Sequence, residues 1–587
     1  YSLVLVFATV SVFAQVTTSS LSGTIKDAQE TLVGASVKAI HTPTGTVYGA
    51  STNAGGRFTI SNLRVGGPYT IEITYLGYRS YKVTDVFLKL GENLSLSPVL
   101  EKAGQQLAEV VVVGTKDNVF NSKRTGAATR VSKEQIEKMP TLSRSLQDFT
   151  RLTPQANGNS FGGSNNRFNN ITIDGAVNND VFGLANSGTP GGQAGTQPIS
   201  LDAIQEIQVV LAPYDVSLGN FTGGGVNAVT RSGTNKFEGS AYFFGRNQNT
   251  VGRNAITNAR STKFMNNQYG FRFGGPIIKD KLFFSVAYEK LEGANTFNLD
   301  QTIGTGNFQV SQAELDRISE ISNRVYQYNP GTTPSSFANA DEKILVKLDW
   351  NINDQHRAAF TYNYNDGFNT VRSDGDSDEY EFSNHLYNRG SKLESISGAI
   401  YSDWTDNFST EVRVGYLDLE NDVRSIGGND FGEIQIRTDR GVTVYLGGDD
   451  SRQSNKLAYD QLDLSFRANY DAGNHSLLFG AEHRNLDIFN LFVQHTETEL
   501  RFNGIDEFEA GLVDRIYYNN SPSQNPIDAA ADWGYAINTV YAQDEIQLND
   551  SLSVIAGARF DWYTTSDAPT ENPDFVQEYG FSNSQTL

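Results

Sequence analysis

Charged side chains alternate with apolar ones along several extended segments, and they are the residues best able to contact a polar molecule. In KILVKLDWNI (343–352), Lys343 and Lys347 lie on the same face as Asp349. Arg272 and Arg357 lie in similar stretches. Such cations could bind a polar substrate, or they could pair with carboxylates of a domain packed against them.

A run of four valines is a second candidate site. Glu109, Val110, Val111, Val112 and Val113 form an extended segment, because β-branched side chains are stiff at χ1 and favour pleated structure. Linker-like sequence flanks the run. It could be an ordinary edge strand of a neighbouring domain, or a strand held ready to pair with another protein.

Two Gly/Asn-rich stretches, 158–170 and 178–197, carry many short polar side chains. They could form a ligand-binding surface, or they could only fill space inside a larger structure. Neither has phosphate-loop spacing or a Gly-Lys-Ser/Thr sequence, so nucleotide binding is rejected. The candidate ligand residues of these loops are Asn165, Asn166, Arg167, Asn169, Asn178, Asn179 and Asp180.

The segment SDGDSDEYE (373–381) concentrates carboxylates and begins with the Asp-x-Asp-x-Asp spacing of a calcium loop. Its sixth position is Glu379 rather than Gly, and its twelfth is His385 rather than Glu, which excludes an EF-hand. An irregular calcium site and a solvated acidic loop are the two interpretations left. We assign no metal to it.

Composition and motifs argue against several classes of function. The net charge of −21 opposes nucleic-acid binding, which needs a basic surface. Because there is no Cys, disulfides and Cys-ligated metals are excluded. The six His form neither His-Glu-x-x-His nor His-x-x-Glu, and we find no nucleophile elbow. We therefore expect no enzyme activity and no cofactor.

A chain of 587 residues predicts several domains. The apolar start YSLVLVFATVSVFAQ predicts a secretory signal-peptide remnant over 1–14, without its Met and basic region. Short alternating strands with Gly turns predict a small β-sandwich over 18–101. A linker at 102–118 and a small α+β domain at 119–234 follow.

From 235 onward, about eleven strands of about 9 to 15 residues alternate with short corners and long polar loops, as in an outer-membrane barrel. Strands of soluble sandwiches average about five or six residues. We therefore expect the apolar face of 343–352 to meet lipid and its charged face to meet the lumen. Aromatic residues near strand ends predict an interfacial girdle. They are Tyr269, Tyr288, Trp350, Trp404 and Trp562.

Several segments resemble the TonB-dependent outer-membrane receptors, in particular the Oar-like branch common in Bacteroidetes. They include TRLTPQANGNSFGGSNNRFNNITIDGAVNNDVFGL, QPISLDAIQEIQVVLAPYDVSLGNFTGGGVNAVTRSGTNKFEGSAYFF and NQYGFRFGGPIIKDKLFFSVAYE. Residues 20–101 resemble a carboxypeptidase-regulatory-like domain. The resemblance implies a mainly β protein whose domain 119–234 plugs an antiparallel 22-stranded barrel. Residues 235–587 would supply about eleven strands, so we expect a longer parent protein.

The resemblance also implies a function. Residues 109–113 match the TonB box, so the inner-membrane protein TonB is an expected partner, with outer-membrane lipid. We expect energy-driven transport of a large or scarce substrate in a Gram-negative outer membrane. The N-terminal domain would be periplasmic and the long loops extracellular. Peptide, siderophore, glycan and exported protein remain open as cargo, and a surface lipoprotein lid as a further partner. The sequence with which the plug usually begins in the glycan-importing branch is absent, which disfavours glycan as the cargo.

Two other functions fit the same patterns. An outer-membrane scaffold or secretion-associated barrel would share the fold without importing a substrate. An exported β-rich adhesin would keep its aromatic residues inside a soluble core.

Overall fold

The computed structural model describes residues 17–103, 110–113, 127–141, 144–185, 187–261, 263–296, 310–334, 336–373, 378–549 and 552–584. The predicted signal-peptide remnant and Glu109 lie outside these ranges. Within them the protein is mainly β, as predicted. None of the helices in these ranges combines the length and the apolar character that crossing a membrane requires.

The N-terminal unit is a β-sandwich of a three-stranded sheet, β4-β1-β7, and a five-stranded sheet, β3-β2-β5-β6-β8. Both sheets contribute to one apolar core, which includes Leu21, Phe58 and Ile71. The strands are β1 (Ser19–Thr24), β2 (Ser36–His41), β3 (Thr46–Ser51), β4 (Arg57–Leu63), β5 (Gly66–Thr74), β6 (Tyr81–Leu88), β7 (Asn93–Ser95) and β8 (Val110–Val113).

Residues 127–234, here called the plug, contain a five-stranded mixed sheet of order β13-β12-β15-β14-β9. Phe149, Ile204 and Ile207 are fully buried in its core. Its elements are β9 (Ala127–Ser132), α1 (Lys133–Lys138), α2 (Gln147–Thr150), β10 (Ala156–Asn157), β11 (Ser160–Phe161), β12 (Asn170–Ile173), β13 (Ala176–Val177), β14 (Ile204–Leu211), β15 (Gly225–Thr230) and the 3₁₀ helices Asn166–Phe168, Gly192–Ala194 and Leu201–Ala203.

The rest of the described chain contains sixteen strands and three α-helices. They are β16 (Glu238–Asn247), β17 (Met265–Ile278), β18 (Leu282–Thr296), α3 (Gln312–Val325), β19 (Ser336–Asn351), β20 (His356–Val371), β21 (Glu379–Glu381), β22 (Tyr387–Thr405), β23 (Phe408–Ser425), β24 (Glu433–Arg437), β25 (Thr443–Leu446), β26 (Ser454–Ala472), β27 (His475–Val493), β28 (Glu499–Phe502), α4 (Ile505–Ala510), β29 (Arg515–Tyr517), β30 (Ala531–Asn549), β31 (Leu552–Thr564) and α5 (Pro573–Tyr579), with 3₁₀ helices Asp450–Arg452 and Pro526–Ala529.

Eleven of these strands form one antiparallel sheet of order β16-β17-β18-β19-β20-β22-β23-β26-β27-β30-β31, here called the wall. Each of the eleven predicted segments has a counterpart in it. Several strands are longer than predicted, and β22, β26, β27 and β30 reach 19 residues. Outward ion pairs toward the long-loop ends of the strands, such as Lys456 with Glu420, indicate that these ends extend beyond the hydrocarbon.

The two faces of the wall are the reverse of those of a soluble sheet. On β19, inward Lys343, Lys347 and Asp349 are only 3, 6 and 3% exposed. Outward Trp350 is 49% exposed, and Ile352, the residue that follows the strand, is 36% exposed. In water, a sheet with buried charges and an exposed Trp would be unfavourable. The outward, apolar face of the wall is therefore suited to contact with lipid.

The long connections hold a structure that the sequence analysis missed. Strands β21-β25-β24-β28-β29 form a five-stranded mixed sheet, here called the loop sheet. It shares an apolar core with α3 and α4 that includes Ile434, Ile436, Val444 and Phe508. The prediction of long polar loops for these segments is therefore incomplete, because strands of three to five residues are too short to stand out by periodicity.

The two ends of the wall carry different units. The N-terminal sandwich lies at the short corners, where Asn53 donates to the Gly473 carbonyl (3.1 Å) and Asn351 donates to Thr46 (2.9 Å). The loop sheet is built from the long connections at the other end. Short turns are periplasmic and long loops extracellular in outer-membrane barrels, so the sandwich occupies the periplasmic end.

Candidate functional site

The plug is bound to the wall by buried polar contacts. Lys347 Nζ of the wall lies 3.2 Å from Asp174 Oδ1 of the plug and 3.0 Å from Thr230 Oγ1. Burial raises the pKa of Asp174, but Lys347 and the hydrogen bonds from Thr230 hold it below its usual value overall. The candidate cation Lys347 therefore pairs with a carboxylate of the plug.

Lys343 lies in a second polar cluster, between wall and plug. Its Nζ lies 2.8 Å from Glu289 Oε1 and 2.6 Å from Asp341 Oδ2, both on the wall. Ser200 of the plug donates to the other oxygen of Glu289 (3.0 Å), and Arg144 of the plug lies 3.8 Å from the same oxygen. Glu289 thus contacts another wall residue through one carboxylate oxygen and the plug through the other.

Arg357 faces the N-terminal sandwich rather than the plug. Its guanidinium donates to the Asn62 carbonyl and lies 4.0 Å from the centre of the Tyr401 ring. Nearby, Arg64 of the sandwich forms a buried ion pair with Asp349 of the wall (2.6 Å). These contacts tie the sandwich to the wall.

Arg272 lines a cavity of about 1330 Å³ between sandwich, plug and wall. The cavity is also lined by Arg130 and Arg231 of the plug and by Lys347 of the wall. The Arg272 residue is only 6% exposed. This cavity brings together three of the four cations singled out in the sequence, because Arg357 also lines it.

The two Gly/Asn-rich loops of the plug lie against each other. Asn166 donates to the Ala185 carbonyl (3.3 Å), and Asn179 bonds both the Ile171 amide (2.7 Å) and Asn170 (3.0 Å). The remaining candidates, Asn165, Asn169, Asn178 and Asp180, also bond neighbours within the plug.

The outer surface of these loops is partly apolar. The Arg167 side chain is exposed and packs beside Gly183. Phe168 is 57% exposed and Leu184 51% exposed. The loops therefore present apolar and cationic groups together.

The valine run is a strand at the edge of the sandwich. Its backbone, β8, pairs in parallel with β6, with Tyr81 opposite Val110 and Thr84 opposite Val113. Within the described residues β8 is the last strand of its sheet, so its other edge has no strand partner there. The structure makes the run an edge strand of a neighbouring domain; pairing of its other edge with another protein stays a prediction.

Two cations that were not among the predicted site residues also join plug and wall. Arg413 donates to the Asp174 carbonyl and pairs with Glu411, and both side chains are buried. Arg559 pairs with Glu482 and donates to the Val216 carbonyl of the plug (3.4 Å). The alternation that marks an inward cation is present in EVRVGYLDLE and AGARFDWY, where each Arg has outward apolar neighbours.

A lipid-suited antiparallel wall that holds a folded plug through inward charges defines a plugged outer-membrane barrel. The chain belongs to the family described as "Outer membrane beta barrel domain", whose profile matches residues 229–584. The profile of the carboxypeptidase regulatory-like domain matches residues 20–101. The protein is accordingly placed in the outer membrane.

Two curated relatives are TonB-dependent proteins. The TonB-dependent transporter Oar of Myxococcus xanthus is 26% identical over 386 residues, which cover 60% of this chain and 34% of that protein. The probable TonB-dependent siderophore receptor PirA of Acinetobacter baumannii is 26% identical over 239 residues, which cover 37% and 30%. The chain therefore spans about a third of the length of the curated relatives it matches.

Solved structures share the fold. The outer membrane transporter YddB from Escherichia coli superposes with a TM-score of 0.53 at 15% identity, over 75% of this chain and 57% of that one. The siderophore receptor PirA from Acinetobacter baumannii gives a TM-score of 0.50 at 15% identity, with the same coverage.

Proposed function

We propose that the protein is a TonB-dependent transporter that imports a large or scarce substrate across the outer membrane. The observation that supports this proposal is the position of β8, a valine strand of the sandwich that has no strand partner on one edge among the described residues. The outer membrane has no ion gradient or ATP of its own, so a plugged barrel needs energy delivered from the inner membrane. A strand that pairs through its backbone is a suitable place to receive it.

The proposed energy relay begins at residues 109–113. A strand of TonB adds to the open edge of β8, and main-chain hydrogen bonds form without demanding particular side chains. The existing pairing with β6 is parallel and covers four residues, so it is a short ladder that a pull can break. Release of β8 then transmits the pull along the linker to the plug.

The plug is suited to being moved. Several of its contacts with the wall are polar, as in Lys347 with Asp174 and Ser200 with Glu289, and water can replace such contacts when they separate. Apolar contacts also occur: Leu345 of the wall joins the plug core, and Phe182 of the plug packs against wall leucines. A wholly apolar interface of the same size would expose apolar surface to water when the plug separates from the wall. Remodelling would open a path between the plug and the inward cations Arg272, Lys343, Lys347 and Arg357.

The outer loops of the plug are the proposed receiving surface. Asn165, Asn166 and Arg167 lie on one loop, and Asn178, Asn179 and Asp180 on the loop that packs against it. Exposed Phe168 and Leu184 add apolar contact area. Ferric siderophores are the first cargo to test, because the relative PirA is described as a probable siderophore receptor.

Val111→Pro tests the relay. Proline removes the backbone N–H and prevents the regular pairing that a strand requires. The expected result is loss of capture by the periplasmic domain of TonB and loss of energy-dependent uptake, with surface binding of the cargo retained. Val111→Thr is the matched control, because it keeps the N–H and the β-branch and should behave as wild type.

The assay is done on the full-length protein in its native membrane, with heat-modifiable migration in detergent to verify the folded barrel. Full uptake and TonB capture by the proline variant would refute the relay. A barrel that acted only as a scaffold would keep its function in that variant.

A further inference from the structure

Three buried side chains of the extracellular unit converge in a way that the transport proposal does not use. His385 precedes β22, Glu433 begins β24, and Asp449 follows β25. His385 and Asp449 are fully buried, and Glu433 is 1% exposed. One potential ligand atom from each lies within 4.8 Å of those of the other two.

The histidine is oriented as metal-binding histidines usually are. His385 Nδ1 lies 3.2 Å from the carbonyl oxygen of Gly447. A carbonyl oxygen only accepts, so this bond assigns the proton of the neutral ring to Nδ1 and makes Nε2 the nitrogen that can act as a ligand. A backbone carbonyl in this position fixes both the tautomer and the orientation of a metal-bound imidazole.

Nearby donors, among them one guanidinium, hold the carboxylates in place. Glu433 accepts from the Gln435 side chain (2.6 Å) and from the Asp450 amide (2.8 Å). Asp449 Oδ1 accepts from the Ser451 amide (3.0 Å) and lies 3.6 Å from Arg452 Nε. Two buried carboxylates this close are unfavourable when both are charged, and a cation between them removes the cost.

A neighbouring group serves as a contrast. His495 Nε2 lies 3.3 Å from Asp450 and 3.5 Å from Glu499, and Arg501 also pairs with Glu499. The side chains of His495 and Asp450 are 13 and 19% exposed. This group is more open to solvent. In both groups one carboxylate has an arginine beside it, Arg501 at Glu499 and Arg452 at Asp449.

We propose that His385, Glu433 and Asp449 bind a divalent transition-metal ion of the zinc class. One imidazole nitrogen with two carboxylate oxygens suits zinc and its neighbours, whereas calcium prefers oxygen ligands alone. The ion joins the start of β22, the start of β24 and the turn after β25. It therefore ties the loop sheet to the wall.

The test uses the full-length protein purified in detergent, stripped with a chelator and dialysed against zinc. Wild type is expected to bind one zinc per chain at this site, and its unfolding temperature is expected to rise with zinc. His385→Gln and Glu433→Gln should bind zinc more weakly, by on the order of tenfold or more. His495→Gln is the matched control and should retain the wild-type affinity.

Absence of zinc from wild type would overturn the proposal, as would calcium binding without zinc binding. Equal zinc affinity in wild type and Glu433→Gln would also overturn it. Should either variant fail to fold, the zinc-edge X-ray absorption spectrum of the wild-type protein decides. One imidazole with oxygen ligands supports the site, and a spectrum without imidazole contradicts it.

Discussion

The wall buries charged side chains and exposes apolar ones, whereas the loop sheet buries its apolar side chains. On the wall, Lys343 and Lys347 are buried while Trp350 is half exposed. In the loop sheet, Ile434 and Ile436 are buried at 1 and 0% exposure. Both are antiparallel or mixed sheets with alternating faces, so strand chemistry alone does not explain the difference. The solvent does: the outer face of the wall meets lipid, whereas the loop sheet folds around its own core in water.

The largest predicted effect is at the inward face of the wall. Lys347→Ala leaves Asp174 buried without its cation, which is expected to destabilise the folded protein by about 3–5 kcal/mol. Urea unfolding in lipid vesicles measures the change. The double variant Lys347→Ala with Asp174→Asn is the control, and it should recover much of the loss because no buried charge remains unpaired. A single variant within about 1 kcal/mol of wild type would show that the pair is not important for stability.

The second-largest change in stability is expected at the outward face, at Val346, which is next to Lys347 in sequence. Val346→Lys places a charge near the middle of a strand that faces hydrocarbon, with an expected cost of about 2–4 kcal/mol. Val346→Met is the control and should be close to wild type. The same vesicle unfolding measures both variants. If Val346→Lys were as stable as Val346→Met, the face would be in contact with water.

The smallest effect compares one conservative change in the two regions. Ile434→Val removes a methylene from the closed core of the loop sheet and should cost about 0.5–1.5 kcal/mol. Ile344→Val removes the same group from a side chain that lipid can repack around, so its cost should be below about 0.5 kcal/mol. Proteolysis of the loop unit measures the first, and vesicle unfolding the second. Equal costs would mean that the two faces are packed alike.

The wall was predictable because its signal is local and repeated. In 343–352, alternation alone separates Lys343, Lys347 and Asp349 from Ile344, Val346 and Leu348, and the structure places the charges inside. The loop sheet was not predictable in the same way. Strands such as Glu433–Arg437 have five residues, and their core forms only when segments far apart in sequence meet.

The candidate sites show the same limit. The valine run indicated an extended strand, but its partner β6 is about 30 residues away in sequence and no local pattern identifies it. Lys347 was selected as a candidate, whereas Arg413, on a strand with the same alternation, was not. His385 drew attention only as a departure from a calcium-loop pattern, and its neighbours Glu433 and Asp449 are brought to it by the fold.

The most direct test of the central claim measures what surrounds the outer face of β19. The chain contains no Cys, so single-cysteine variants at Ile344, Val346 and Leu348 can each carry a nitroxide label without background. In lipid bilayers, these labels should collide often with oxygen and rarely with a water-soluble nickel reagent, while a label at inward Leu345 should collide rarely with both. Outward labels that the nickel reagent reaches as freely as oxygen would contradict the account.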